Sequence, residues 1–333
     1  MEYRALGKTG IQISAIGIGC WEIGGGYGSI EETEFIKAVN RALDLGINCF
    51  DTAEAYGFGA SEVSLAKALG SRRKEAVITT KFGIGYREAP NFRDSSRTRV
   101  VASIEKSLLN LKTDYVDVYM VHWPDLNTPF EETMRALDDL VKQGKVRAVG
   151  ISNFRLNQIE TCMRSRRIDV AQYCWNMLDR RMQKDVLPYC REHGIGVMAY
   201  GSLAYGMLTG TFTEEMNFGA NDWRAKAGRL GGTITLMEHL FGANSYLKNL
   251  RAVEELKPMA QRYGKSLPQF ALHWTLSNPV ISTALVGCRD EDEVNDNAGA
   301  IGWSIADEDM REIDQIFARH GAETSPENWI EKN

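Results

Sequence analysis

No CxxC pair occurs among the six cysteines, no HxH or HxxxH pair among the five histidines, and no GxGxxG follows a strand-like run. Without paired spacings, Cys20, Cys49, Cys162, Cys174, Cys190 and Cys288 read as buried thiols in apolar runs and not as a disulfide frame. The scattered histidines give no support to a metal site. No apolar run reaches membrane-spanning length, and MEYRALGKTG at the amino end lacks a basic segment followed by an apolar one, so a cytoplasmic protein with no membrane partner is expected. Basic residues are not in excess either: 39 Lys and Arg against 44 Asp and Glu give a net charge of −5, with the signs interspersed. Nucleic acid is therefore excluded as a partner, because neutralising phosphates takes a concentrated basic face.

What the sequence does have is a hydrophobic content of 44% over 333 residues, arranged as short β-branched runs alternating with amphipathic stretches. Eight strand candidates stand at 15–19, 47–51, 76–81, 116–122, 146–152, 169–175, 195–201 and 281–287. Between them EETEFIKAVNRALDLG puts Phe35, Ala38, Val39, Ala42 and Leu43 on one helix face and ends at Gly46, and TRVVASIEKSLLNLK and PFEETMRALDDLVKQGK behave alike. The expected fold is α/β, a (β/α)8 TIM barrel forming one domain over 1–333. An open doubly wound sheet is the competing fold, weakened because GIGCWE and GFGASE carry Glu where the third glycine is needed. Three segments stand outside the repeat. EYRALGKTGIQIS predicts a hairpin plugging one barrel end, 202–259 an insertion between the seventh and eighth strands that passes over the active face, and 321–333 a flexible tail.

In such a barrel the chemistry lies at the carboxyl ends of the strands. Those ends read Asp51, Lys81, His122, Ser152 with Asn153, Gln172, Tyr200 and Gly287, nearly all polar. Each alone has an ordinary explanation: Asp51 a helix cap, Lys81 a surface lysine, His122 a core histidine, Tyr200 a core aromatic. Together they converge on one face. A phenol at Tyr56 titrates near pH 10, so it needs a neighbour. Lys81 beside it is expected to lower its pKa, with Asp51 holding the lysine charged and His122 orienting a carbonyl oxygen that takes the proton. No side chain donates hydride, so a nicotinamide cofactor is implied. Ser152, Asn153 and Gln172 offer groups for its carboxamide, and Tyr200 a ring to stack on it.

GIGCW, FDTAEAYG, ITTKFG, VHWPD, VGISNF and the late VGCRDEDEVNDN together resemble, in order and across nearly the whole chain, the motifs of the aldo-keto reductases, including the branch of channel β-subunits. The resemblance implies a (β/α)8 barrel binding NADP(H) without a Rossmann motif, with catalytic Asp51, Tyr56, Lys81 and His122. Carried-over cofactor contacts are Cys20 and Trp21 beside Asp51, then Ser152, Asn153, Gln172 and Tyr200. Gly201 and Ser202 replace the usual Ser-Pro and, with Leu203, complete that end. Gly287, Arg289, Glu293 and Asn297 match the adenosine end, where Arg289 would fork a 2′-phosphate. Glu293 stands where Gln is frequent, and Asp290, Glu291 and Asp292 add acids, so NAD(H) is the alternative to the favoured NADP(H).

Trp21 and Trp123 match positions lining the family's substrate mouth, beside Tyr56 and His122, and Trp175 and the segment Asp222, Trp223, Arg224 are further candidates. The expected activity is interconversion of an aldehyde, ketone or sugar carbonyl with its alcohol, and a homo-oligomer is compatible with it. Two other classes compete: a cofactor-binding regulatory subunit of slow turnover, and a Schiff-base lyase or isomerase using Lys81 as nucleophile.

Overall fold

A computed structural model describes residues 1–24, 30–84, 92–216, 218–219, 222–226 and 237–326. In chain order the strands are β1 (Tyr3–Ala5), β2 (Gln12–Ser14), β3 (Ile16–Gly19), β4 (Cys49–Asp51), β5 (Val77–Phe82), β6 (Val116–Val121), β7 (Val146–Ser152), β8 (Val170–Cys174), β9 (Gly196–Tyr200) and β10 (Ile281–Gly287). From β3 onward they close into a parallel barrel in the order β10, β3, β4, β5, β6, β7, β8, β9. Each expected strand is present, with ends displaced by no more than two residues. Helices return the chain along the outside, which is why β5 and β6 are buried at every position: one face meets the lumen and the other meets helices. Glu32–Asp44, the first of these helices, buries the five residues its spacing selects, and Gly46 closes it at φ 79°.

The hairpin β1–β2 is antiparallel, pairing Tyr3 with Ser14, and closes the barrel floor. Leu6, Ile11 and Ile13 pack with Cys49, Val77, Val118, Met120, Ala148, Val170, Met198 and Leu285, residues drawn from the barrel strands. The turn of the hairpin comes so near the start of β9 that a methyl group on Gly7 would sit 2.4 Å from the Gly196 amide nitrogen.

Successive lumen-facing residues lie two apart along a strand. Moving up from the apolar floor, Cys49 leads to Asp51, Val77 through Thr79 to Lys81, Val118 through Met120 to His122, Ala148 through Gly150 to Ser152, Val170 to Gln172, Met198 to Tyr200, and Leu285 to Gly287. One alternation thus builds both a dry floor and a polar mouth.

Between β9 and β10 run a turn at Ala204–Thr209, the helices Glu238–Phe241, Tyr246–Arg262 and Leu267–Leu276, and stretches that fall partly outside the described residues. At the carboxyl end, the helix Asp307–His320 is followed by Thr324, whose carbonyl accepts from the Arg180 amide at 2.6 Å; residues 327–333 of the expected tail lie outside the described residues. No helix among the described residues is long and apolar enough to cross a membrane.

Candidate active site

The end of β4 supplies Asp51, and the turn after it brings Tyr56 back over the lumen. Glu54 anchors that turn: its amide donates to the Lys81 carbonyl at 3.1 Å, while its carboxylate takes Gly83 N–H and Arg99. Lys81, with no exposed surface, gives its protons to three oxygens: Asp51 Oδ2 at 2.6 Å, the Thr52 carbonyl at 3.0 Å and Tyr56 Oη at 3.2 Å. An ammonium has three protons, so this one is fully used. Asp51 Oδ1 accepts from Gln172 Nε2 at 2.7 Å, which joins β4 to β8 across the mouth.

A second set of bonds continues from Gln172. Ser152 Oγ donates to the Gln172 carbonyl at 3.0 Å, Asn153 Nδ2 reaches Ser152 Oγ at 3.0 Å and the His122 carbonyl at 3.1 Å, and Tyr200 Oη donates to Asn153 Oδ1 at 2.8 Å. Asn153 holds φ 67°, a left-handed conformation that Asn tolerates and that aims its amide along the rim. The structure therefore brings Asp51, Tyr56, Lys81, His122, Ser152, Asn153, Gln172 and Tyr200 to one place.

The electrostatics differ from expectation at Tyr56. Burial pushes the phenol well above its usual range, and Asp51, Glu22 and Cys20 push the same way. The lysine charge does not reverse this, because Asp51 already neutralises it at close range. Tyr56 is thus a firmly protonated phenol in this structure. Asp51 itself is raised by burial, with Lys81 and Gln172 offsetting part of the effect. His122 stands edge-on to Tyr56, ring centres 5.7 Å apart at 78°, and burial, reinforced by Lys81 and Arg93, holds it well below the usual histidine range. It is a neutral imidazole, and its buried Nδ1 has no hydrogen-bond partner among the described residues.

The mouth is walled by aromatic rings. Trp21 stacks on Tyr56 at 6.2 Å and on Trp223 at 5.8 Å, and Tyr205 meets Trp223 edge-on at 5.2 Å. Trp123 is half-buried with the Arg93 guanidinium 5.6 Å from its ring centre. Trp175 does not join them: it is buried and stacks on Trp274 at 5.4 Å, among the core residues. Cys20 is buried too, its amide bonded to the Asp51 carbonyl and its carbonyl to Ser61 Oγ. All six cysteines are free and buried; burial pushes the Cys162 and Cys190 thiols up to about 12.

Beyond Tyr200 the chain turns sharply at Gly201, Ser202 and Leu203. Gly201 O accepts from Ala204 N–H at 2.7 Å and from Asn176 Nδ2 at 2.9 Å, and Ser202 Oγ donates to the Ala199 carbonyl at 3.2 Å. Ala204 and Tyr205 then hold positive φ, 48° and 55°, a strained pair beside the mouth.

The adenosine-end residues form a separate group. Arg289, at the end of β10, is occupied by its own helix neighbour, with Nε donating to Glu293 Oε1 at 2.9 Å and the backbone N–H to Oε2 at 2.8 Å. Asn297 is buried, its amide 3.3 Å from Cys288 Sγ. Against Gly287 lies a residue that strand-end reading passes over, the carboxylate of Glu22. Its place on a turn and its contact with the last strand leave no local signal. Thr52, whose carbonyl holds Lys81, is equally silent, because any residue has a carbonyl.

The profile of the Aldo/keto reductase family matches residues 15–318. The aldo-keto reductase YhdN of Bacillus subtilis (strain 168) is 37% identical over 321 residues, covering 95% of this chain and 94% of that protein. An NADH-specific methylglyoxal reductase of Escherichia coli (strain K12) is 32% identical over 339 residues, covering 96% of this chain and 100% of that protein. Among solved structures, a glycerol dehydrogenase of Gluconobacter oxydans superposes with a TM-score of 0.85 at 33% identity, covering 98% of each chain. With its closed barrel, its motifs in order and this match over nearly its whole length, the chain belongs to the aldo/keto reductase family of oxidoreductases.

Proposed function

We propose that the protein interconverts a small carbonyl compound and its alcohol, with a nicotinamide dinucleotide as redox partner and Tyr56 as proton donor and acceptor. The observation that carries this reading is the buried chain from Asp51 through Lys81 to Tyr56, beside a neutral His122 whose ring stands edge-on to the phenol.

The residues present fit a nicotinamide. Gln172 Oε1 accepts no hydrogen bond among the described residues and Asn153 Oδ1 has a lone pair beyond the one given to Tyr200, so a carboxamide would find acceptors there. The half-buried Tyr200 offers a ring face. When bound, the reduced nicotinamide supplies the hydride.

The chain's own groups do the rest. A neutral His122 hydrogen-bonds a carbonyl oxygen without charging it, which fixes the oxygen near Tyr56 Oη. As negative charge grows on that oxygen, Tyr56 yields its proton, and Lys81 stabilises the phenolate left behind. Asp51 keeps the ammonium in place. The high resting pKa of Tyr56 suits this sequence, because the phenol stays protonated until an oxyanion forms against it.

For substrate we put small, oxygen-rich carbonyl compounds or polyols first, in keeping with the methylglyoxal reductase and the glycerol dehydrogenase. Trp21 and Trp223 suit the C–H faces of such molecules. Arg289 would fork the 2′-phosphate of NADP(H), and Glu293 now fills that fork. An exposed pair of this kind is worth about 0.3–0.5 kcal/mol and exchanges readily, so we propose that both NADP(H) and NAD(H) are taken. A Schiff-base role for Lys81 is disfavoured, since a nucleophilic amine would have to give up three bonds first.

The test is a panel of carbonyls and alcohols with each nucleotide, for the wild type and Tyr56→Phe. The variant should bind nucleotide as tightly as the wild type while turnover drops by about 10²–10⁴. A near-normal rate would remove Tyr56 from the acid role. Nucleotide binding without turnover in the wild type would instead favour the regulatory-subunit reading.

A further inference from the structure

Glu22 opens the short turn Glu22–Gly24, one residue after Trp21. Its carboxylate rests on the bare backbone of Gly287: a methyl group there would fall 1.8 Å from Oε1 and 2.3 Å from Cδ. The absence of a side chain at Gly287 is what makes room for it. Glu22 forms no ion pair among the described residues.

The ionisable groups around it come from every neighbouring element. Arg289 and Glu293 approach from the end of β10 and the helix Glu291–Ala298, Arg224 from the turn Trp223–Lys226, Tyr56 from the turn after β4, and the thiols of Cys20 and Cys288 from the ends of β3 and β10. Both cations have carboxylate partners of their own. Arg289 is held by Glu293, and Arg224 Nε donates to Asp222 at 2.9 Å. Burial pushes the Glu22 carboxyl up to about 7 and Glu293 adds to this, while a hydrogen bond from its own backbone N–H and, more weakly, the two arginines offset part.

If the dinucleotide lies as proposed above, from Gln172 and Tyr200 at its nicotinamide to Gly287 and Arg289 at its adenosine, it crosses Gly287. That is where this carboxylate is. We propose that Glu22 is a binding determinant for the phosphate-bearing half of the dinucleotide, admitting it with the carboxyl protonated, so that binding takes up a proton. Charged, the half-buried Glu22 carboxylate repels phosphate brought against Gly287. Protonated, it donates an O–H hydrogen bond in the same place. An extra phosphate sharpens the discrimination, so the charged form weighs more on NADP(H) than on NAD(H).

The experiment is calorimetric titration of the full-length protein with NADH, which itself carries no group titrating near neutrality. Runs at several pH values in two buffers of different ionisation enthalpy count the protons taken up. For the wild type, uptake should approach one proton well above neutral pH, with Kd weakening about tenfold per pH unit there. Glu22→Gln should bind with no uptake and a flat Kd, tighter than the wild type at about pH 8. Glu22→Ala, checked for folding by thermal melting, should follow the same flat profile. A pH-independent wild type, a variant that keeps the slope, or a variant that binds more weakly at alkaline pH would each overturn the proposal. Failure of the wild type to bind NADH or NADPH even at about pH 6 is a different outcome, one that removes the dinucleotide reading itself.

Discussion

Lys81 and Asp51 set the energetics at the scale of single residues. A buried ammonium is tolerated because a carboxylate sits 2.6 Å away, and removing one partner leaves the other charge stranded. Asp51→Asn should therefore lower the unfolding free energy by about 3–5 kcal/mol, read by urea denaturation. Asp51→Asn combined with Lys81→Met should recover much of that loss, since no buried charge remains. Equal losses in the single and double variants would contradict this account. These residues were legible in the sequence because each ends a strand-like run, and the two-residue alternation that lines the lumen reaches them. The sign of the Tyr56 shift was not legible. It depends on how much water surrounds the phenol and on Asp51 cancelling the lysine, and neither is written along the chain.

Among elements, the floor and the mouth are secured differently. The β1–β2 turn presses Gly7 against β9 at φ 56°, where a side chain meets both left-handed strain and backbone overlap. Gly7→Ala should cost more than the strain alone, about 1–2 kcal/mol, and lower the thermal midpoint. An unchanged midpoint would mean that the hairpin shifts freely. At the mouth, Asp179 after β8 bonds Arg181 through Nε at 2.8 Å and lies 3.5 Å from His239 of the helix Glu238–Phe241. Burial would raise the Asp179 carboxyl, but His239 and Arg181 more than compensate and hold it down at about 2. A carboxyl depressed in the folded state stabilises above its unfolded pKa and loses that contribution as pH falls from about 4 to about 2. Asp179→Asn should thus be clearly less stable than the wild type at neutral pH. The gap should narrow by about 2 kcal/mol in acid, measured as unfolding free energy against pH. A constant gap would assign the loss to packing. None of this clamp was legible, because 60 residues separate its acid from its imidazole and no periodicity links them.

For the molecule as a whole, the regular βα alternation made the barrel readable, since burial on both faces leaves each strand as an apolar run. Closure of the ring also created what the sequence hid. It sets the first barrel strand beside the last, so that Glu22 meets Gly287, and the long return from β9 to β10 lays Trp223 on Trp21. Closure has another consequence, for encounters between copies of the chain. A sheet wrapped upon itself presents no row of spare amides and carbonyls to a stranger. Outside the barrel, the strand borders among the described residues are those of β1 and β2, each three residues long. The Asn48 side chain already holds Ser14 N–H and the Gln12 carbonyl of β2, and Ser282 Oγ the Ala5 carbonyl of β1. Both borders are too short to template fibril growth, which calls on segments of about six or seven residues.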